Sequence, residues 1–113
     1  MKTSVIFYFS SPTMDERIKC EVAKYPFKPG VGDDVCIPIS QETSPNEHMS
    51  GLITRVVHNP LGCYFADTGC EIECYVRVGH DNMESAWNFL IEKERASGGK
   101  LTHQWANWKP YKV

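Results

Sequence analysis

Pro29-Gly-Val-Gly-Asp-Asp-Val-Cys-Ile-Pro-Ile39, followed after a polar stretch by Gly51-Leu-Ile-Thr-Arg-Val-Val-His58, is the passage on which the fold turns. Gly30, Gly32 and the Asp33-Asp34 pair carry turn chemistry: glycine takes positive φ without steric penalty, and aspartate can bond its own backbone. Val35, Ile37 and Ile39 then alternate with Cys36 and Pro38, the period-two pattern of a strand with one buried face. Pro38 has no N–H to give to a ladder, so this strand is expected at a sheet edge or with its proline unpaired. Gly51 reads as the opening of the next strand, Leu52 to His58. The residues between, 40–50, are polar and aperiodic, which predicts an exposed loop able to carry function.

Toward the N-terminus, residues 4–10 are rich in β-formers and end at Ser11-Pro12. Val5, Phe7 and Phe9 share one face and Ile6 and Tyr8 the other, so this strand is expected to be covered on both sides. After a polar turn at Asp15-Glu16, Ile18, Cys20 and Val22 alternate with Lys19, Glu21 and Ala23 as a half-buried strand. Pro26 and Pro29 end it.

Toward the C-terminus the pattern is strand, turn, strand, turn, strand. Asn59-Pro60-Leu61-Gly62 fits a type I turn. Residues 63–66 form a short strand and Asp67-Thr68-Gly69 turns again. Residues 71–78 are the clearest strand, with Ile72, Cys74, Val76 and Val78 facing in. A β-meander is the expectation. One helix follows, with Met83, Trp87, Leu90 and Ile91 as its apolar stripe. Asp81 and Glu84 stand at capping-box spacing, and Ser97-Gly98-Gly99 is the stop signal. In the tail, Leu101, His103 and Trp105 alternate loosely, followed by Trp108, Pro110 and Tyr111. That predicts a last short strand and an extended segment docked by its tryptophans.

The succession Gly32-Asp-Asp-Val-Cys-Ile, a loop, Gly51-Leu-Ile-Thr-Arg-Val and a meander resembles small SH3-like barrels over residues 29–79. The fold class expected is therefore mainly β, α+β by content. It is an SH3-like barrel or meander with an N-terminal strand pair and one C-terminal helix. The resemblance implies a module that binds peptides, proteins or nucleic acids and is rarely an enzyme, although fold alone does not set function.

A chain of 113 residues supports one domain over its whole length, and 42% hydrophobic with 23% charged residues is an ordinary globular composition. The apolar run at residues 5–9 is too short for a signal-peptide core or a membrane span, so a cytoplasmic location is expected. Five cysteines, an odd number without framework spacing, read as free thiols in a reducing compartment. The net charge of −2 is unevenly spread. Residues 1–30 carry five basic and three acidic groups, residues 31–80 two basic and seven acidic, and residues 98–113 three lysines and no acid. An acidic middle with a basic tail argues against a general nucleic-acid binder.

No catalytic residue is expected, and no cofactor. His58, Cys63, Cys70, Cys74 and His80 invite a zinc site, but Cys70 and Cys74, four residues apart along a probable strand, would lie about 13 Å apart, too far to share one ion unless the strand starts after Cys70. The subset His58, Cys63 and Cys74 survives as a remote metal candidate, with Cys63 opposite Cys74 across the ladder if the turn is Thr68-Gly69. Asp67-Thr68-Gly69 is the tripeptide of aspartic proteases, and with Cys63 and His58 it makes a remote hydrolytic alternative. The same tripeptide is ordinary turn chemistry. The best candidate binding surface joins Glu47 and His48 of the polar loop to His103, Trp105, Trp108, Lys109 and Tyr111 of the tail. The expected partner is a protein or peptide. A second copy of the chain is the other partner that an edge strand and a tryptophan-bearing tail allow. Nucleic acid held by the basic aromatic tail is the alternative, and no membrane partner is expected.

Overall fold

In the computed structural model, residues 3–39, 48–58, 71–96 and 106–112 are described. The period-two segments become strands β1 (Thr3–Ser10), β2 (Glu16–Tyr25), β3 (Asp34–Pro38), β4 (His48–His58) and β5 (Ile72–Arg77). Helix α1 (His80–Ala96) and strand β6 (Ala106–Lys112) complete the described elements. The six strands form one sheet in the order β3-β4-β5-β1-β2-β6. All neighbouring pairs are antiparallel except β1 with β5, which run parallel at the centre. The expectation of a mainly β fold holds at this level.

Three sequence expectations about neighbours are corrected. The N-terminal strands are no appendage to a barrel over residues 29–79: β1 lies in the middle of the sheet, between β5 and β2. Nor does a short strand separate β4 from β5, which are direct partners, Val56 facing Cys74 and His58 facing Ile72. Because Phe7 occupies the other side of Cys74, both ladder positions beside Cys74 are filled, and the expected pairing with Cys63 is overturned. Residues 63–66 themselves, with Cys63 and Asp67, lie outside the described residues.

Local boundaries shift as well. β4 begins at His48, not at Gly51, because His48 to Leu52 pair with Pro38 to Asp34 of β3. Gly51 serves a close approach inside the strand. A Cβ there would run into the Arg77 carbonyl and lie 2.9 Å from Val76 Cγ1. The turn before β3 matches its reading. Gly32 has φ 94°, Gly30 N–H donates to Asp33 Oδ2 at 2.9 Å, and Asp33 N–H returns to the Gly30 carbonyl at 3.1 Å. β3 is an edge strand, as its proline predicts.

Helix α1 starts one residue before the expected cap. The Gly79 carbonyl accepts the first intrahelical bond, from Met83 N–H at 3.0 Å, so Gly79 is the cap and Asp81 lies inside the first turn. Glu84 bonds His80 at 3.2 Å. The last strand runs over residues 106–112, later than the alternation through Leu101, His103 and Trp105 suggests; those three lie outside the described residues.

The inward residues Val5, Phe7, Phe9, Ile18, Cys20, Val22, Cys74 and Val76 form one core with Met83, Ala86 and Leu90 of the helix. Ala86 replaces Trp87 and Ile91 at the centre of the stripe; those two are half-buried. The helix packs on one face of the sheet, against β2, β4 and β6. Ile6 is also fully buried, on the opposite face, in line with a strand apolar on both sides. No helix among the described residues is long and apolar enough to cross a membrane.

Core placement separates the cysteines. Cys20 and Cys74 are buried and Cys36 is exposed, all three as free thiols. Burial pushes the Cys74 thiol up from 9.0 to about 11 and Cys20 higher still, with Glu21 adding to the effect. Iodoacetamide on the native protein is expected to modify Cys36 and spare Cys20 and Cys74 until denaturant is added, read by peptide mass. A thiol whose pKa is raised on folding stabilises the fold fully below its unfolded value and loses that contribution as pH rises through its folded value. Thermal stability is therefore expected to fall between about pH 9 and pH 11 as these thiols ionise.

Candidate functional site

The sheet curls so that β2 and β3, far apart in strand order, face one another across its concave side. Where the helix does not reach, a groove of about 600 Å³ remains between them. Val22, Val35, Ile37 and Ile53 form its floor, and Tyr25 and Phe27 its wall. The floor follows from alternation, since each of these four residues is an inward position of its strand. The wall follows from Pro26 and Pro29, which end β2 and hold the Phe27 segment out of the ladder. Tyr25 meets Phe7 edge to face at 5.2 Å and Phe27 at 5.8 Å between centroids. Phe27 is 71% exposed at the rim, and Val31, on the same connection, is 67% exposed.

The rim is bipolar. Lys24 and Lys28 come from β2 and its exit, and Asp33 and Asp34 from the entry of β3. Asp33 is occupied by its turn; Asp34 opens β3. Desolvation raises the Tyr25 phenol above its ordinary value, with Cys74 and Asp33 contributing in the same direction. Tyr25 is therefore neutral at physiological pH and presents an uncharged hydroxyl beside an apolar floor.

The residues singled out from the sequence do not assemble into one surface. Trp108 is only 4% exposed and lies nearly parallel to Phe9 at 6.0 Å. It is core, and its indole Nε1 is a buried donor without a hydrogen-bond partner among the described residues. Lys109 and Tyr111 alternate with it and so take the sheet's outer face. His48 lies in β4 opposite Pro38, with its carbonyl bonded by Asn82 Nδ2 at 2.9 Å. Glu47, His103 and Trp105 fall outside the described residues. The remote metal set is not brought together: Cys74 is fully buried in the core while His58 is exposed two ladder positions away. Among the described residues no cluster of three or more His, Cys, Asp or Glu could hold a metal ion.

One polar relay has the order of a nucleophile, a base and a carboxylate. Ser11 Oγ lies 3.2 Å from Thr13 Oγ1, Thr13 Oγ1 2.9 Å from His80 Nδ1, and His80 Nε2 3.2 Å from Glu84 Oε2. His80 and Glu84 are half or more exposed and the groove does not touch them. Its Thr13–His80 bond ties the β1–β2 turn to the first turn of α1.

The groove residues escaped the sequence reading because prolines at 26 and 29 look only like punctuation. The available signal was Phe27, a large apolar side chain in a connection too short to bury it. Comparison with protein-family models, curated proteins and solved structures finds no match to the chain.

Proposed function

We propose that this chain is a non-catalytic binding module that receives an extended peptide along the β3 edge, with one apolar side chain of the peptide seated in the groove. The observation that supports the reading is the groove itself, an apolar cavity of ligand size beside an edge strand, with an exposed aromatic at its rim. Among the described residues β3 pairs with β4 alone, so its outer backbone groups can pair with an added strand. Pro38 limits that pairing to the first part of β3, which directs the peptide toward Phe27 and not past Ile39. The lysines and aspartates that line the groove favour a peptide carrying both charges around its apolar anchor. The free thiols of Cys20, Cys36 and Cys74 agree with the cytoplasm.

Panning random linear peptides against the folded protein is expected to enrich sequences with a shared apolar anchor. Phe27→Ala should weaken them by at least about tenfold, since buried aromatic contacts dominate such interfaces. Phe27 is exposed, so the variant keeps the fold. Enriched peptides indifferent to Phe27→Ala, or no enrichment at all, would exclude this site. A sedimentation mass of two chains with protected β3 amides would assign the edge to a second copy instead.

A further inference from the structure

The register of the sheet aligns side chains on its outer face into rows. One row runs Arg55, Tyr75, Tyr8, Lys19, Lys109 across β4, β5, β1, β2 and β6. The next runs Leu52, Arg77, Ser10, Arg17, Tyr111 over the same strands. Together they hold five cations, three tyrosines and no acid. The row on the other side, Val57, Glu73, Ile6, Glu21, Asn107, has two acids and no cation. A chain of net charge −2 thus concentrates positive charge on one part of one face.

Folding alone does not account for this arrangement. Lys19 stands directly opposite Lys109, and like charges at paired positions destabilise a sheet. None of the five cations has a carboxylate ion pair among the described residues; the ion pair found there is His80–Glu84, elsewhere. Arg17 donates to the Met14 and Glu16 carbonyls, which orients its guanidinium and leaves its charge uncompensated. The aromatics are ordered among these charges. Tyr8 and Tyr75 stack at 5.2 Å and 20°, Arg55 lies over Tyr75 at 5.5 Å, and Lys19 lies over Tyr111 at 5.9 Å. Desolvation and Glu73 raise the Tyr8 phenol, and desolvation raises Tyr111 despite the opposing effect of Arg17.

We propose that these two rows bind single-stranded nucleic acid, with phosphates on Arg17, Lys19, Arg55, Arg77 and Lys109 and bases extending the tyrosine stack. Interleaved cations and aromatics suit a polyanion that carries flat rings, which an acidic peptide lacks. Five strands span about 19 Å at the usual spacing, the length of a few nucleotides. The site lies on the face opposite the groove and does not depend on the peptide reading.

The test uses the whole chain and a fluorescein-labelled single-stranded oligothymidylate of about twelve nucleotides, comparable to the sites of sheet-based binders. Binding is expected at low salt. If all five cations meet phosphates, the affinity should fall by about a hundredfold between 50 and 200 mM salt. Lys109→Glu should weaken binding at least about tenfold while raising the melting temperature, because it replaces a like-charge pair with an attractive one. A purely structural role would not couple those opposite changes. Tyr75→Ala should also weaken binding, whereas Lys24→Ala and Lys28→Ala, at the groove, should leave it unchanged. Absence of binding at 50 mM salt by the folded protein would overturn the proposal. So would equal affinity for polyglutamate, or binding indifferent to Lys109→Glu and Tyr75→Ala.

Discussion

Replacing Trp108 with alanine is expected to remove about 3–5 kcal/mol of stability, the range for emptying a large aromatic from a core. The indole is nearly inaccessible, stacks on Phe9 and faces the buried Cys20 across the β2–β6 ladder. Among the described strands β6 lies at an edge, so Trp108 is also a main anchor of that strand to the core. One effect works the other way: the buried Nε1 donor has no partner among the described residues, a penalty of about 1–3 kcal/mol that alanine abolishes. Trp108→Phe separates the two effects. It keeps a ring against Phe9 and removes the orphan donor, so a loss of at most about 1 kcal/mol is expected, well short of alanine's. Urea midpoints at constant m-value measure both. An alanine variant as stable as the parent would mean that Trp108 is not core.

Gly51→Ala is expected to destabilise by about 1–3 kcal/mol, as overpacking of a tightly fitted site does. In most strands the same change stabilises slightly, because glycine loses more freedom on folding. The sign reverses here because the new methyl would meet the Arg77 carbonyl and Val76 Cγ1, backbone and a buried β-branched side chain that cannot swing aside. β4 and β5 must then part at the point where their ladder begins, which also disturbs the β3 edge paired with Gly51 through Val35. Peptide binding at the groove should therefore weaken along with stability, while Ser50→Ala, one residue away, should change neither by more than about 0.5 kcal/mol. A Gly51→Ala protein melting at the parent temperature would show that β4 and β5 have room between them.

The alternations around Val35, Ile18 and Ile72 were legible because a side chain's face follows from the two-residue repeat of a strand whatever lies beside it. The edge position of β3 was legible for a chemical reason, the missing N–H of Pro38. Gly51 shows where that reading stops. A glycine before a hydrophobic run reads as the opening of a strand, and only the approach of the Arg77 carbonyl reveals it as a mid-strand contact. The tail shows it again: Trp108 and Lys109 looked like one aromatic, basic surface, yet adjacent residues of a strand point to opposite faces. Trp108 went to the core and Lys109 to solvent as soon as β6 paired with β2.

Sequence alone placed β1, β2, β3, β5 and the helix and told the apolar face of those strands, since these depend on local periodicity and turn chemistry. The start of β4, the position of β6 and the centre of the helix stripe waited on pairing and packing. Tertiary structure alone decided which strands are neighbours, because strand order depends on long-range pairing that leaves no mark on local periodicity. Both candidate surfaces depend on that order. Curling brings β2 and β3 together around the groove. Registration across five strands gathers Arg17, Lys19, Arg55, Arg77 and Lys109 from distant parts of an acidic chain onto one face.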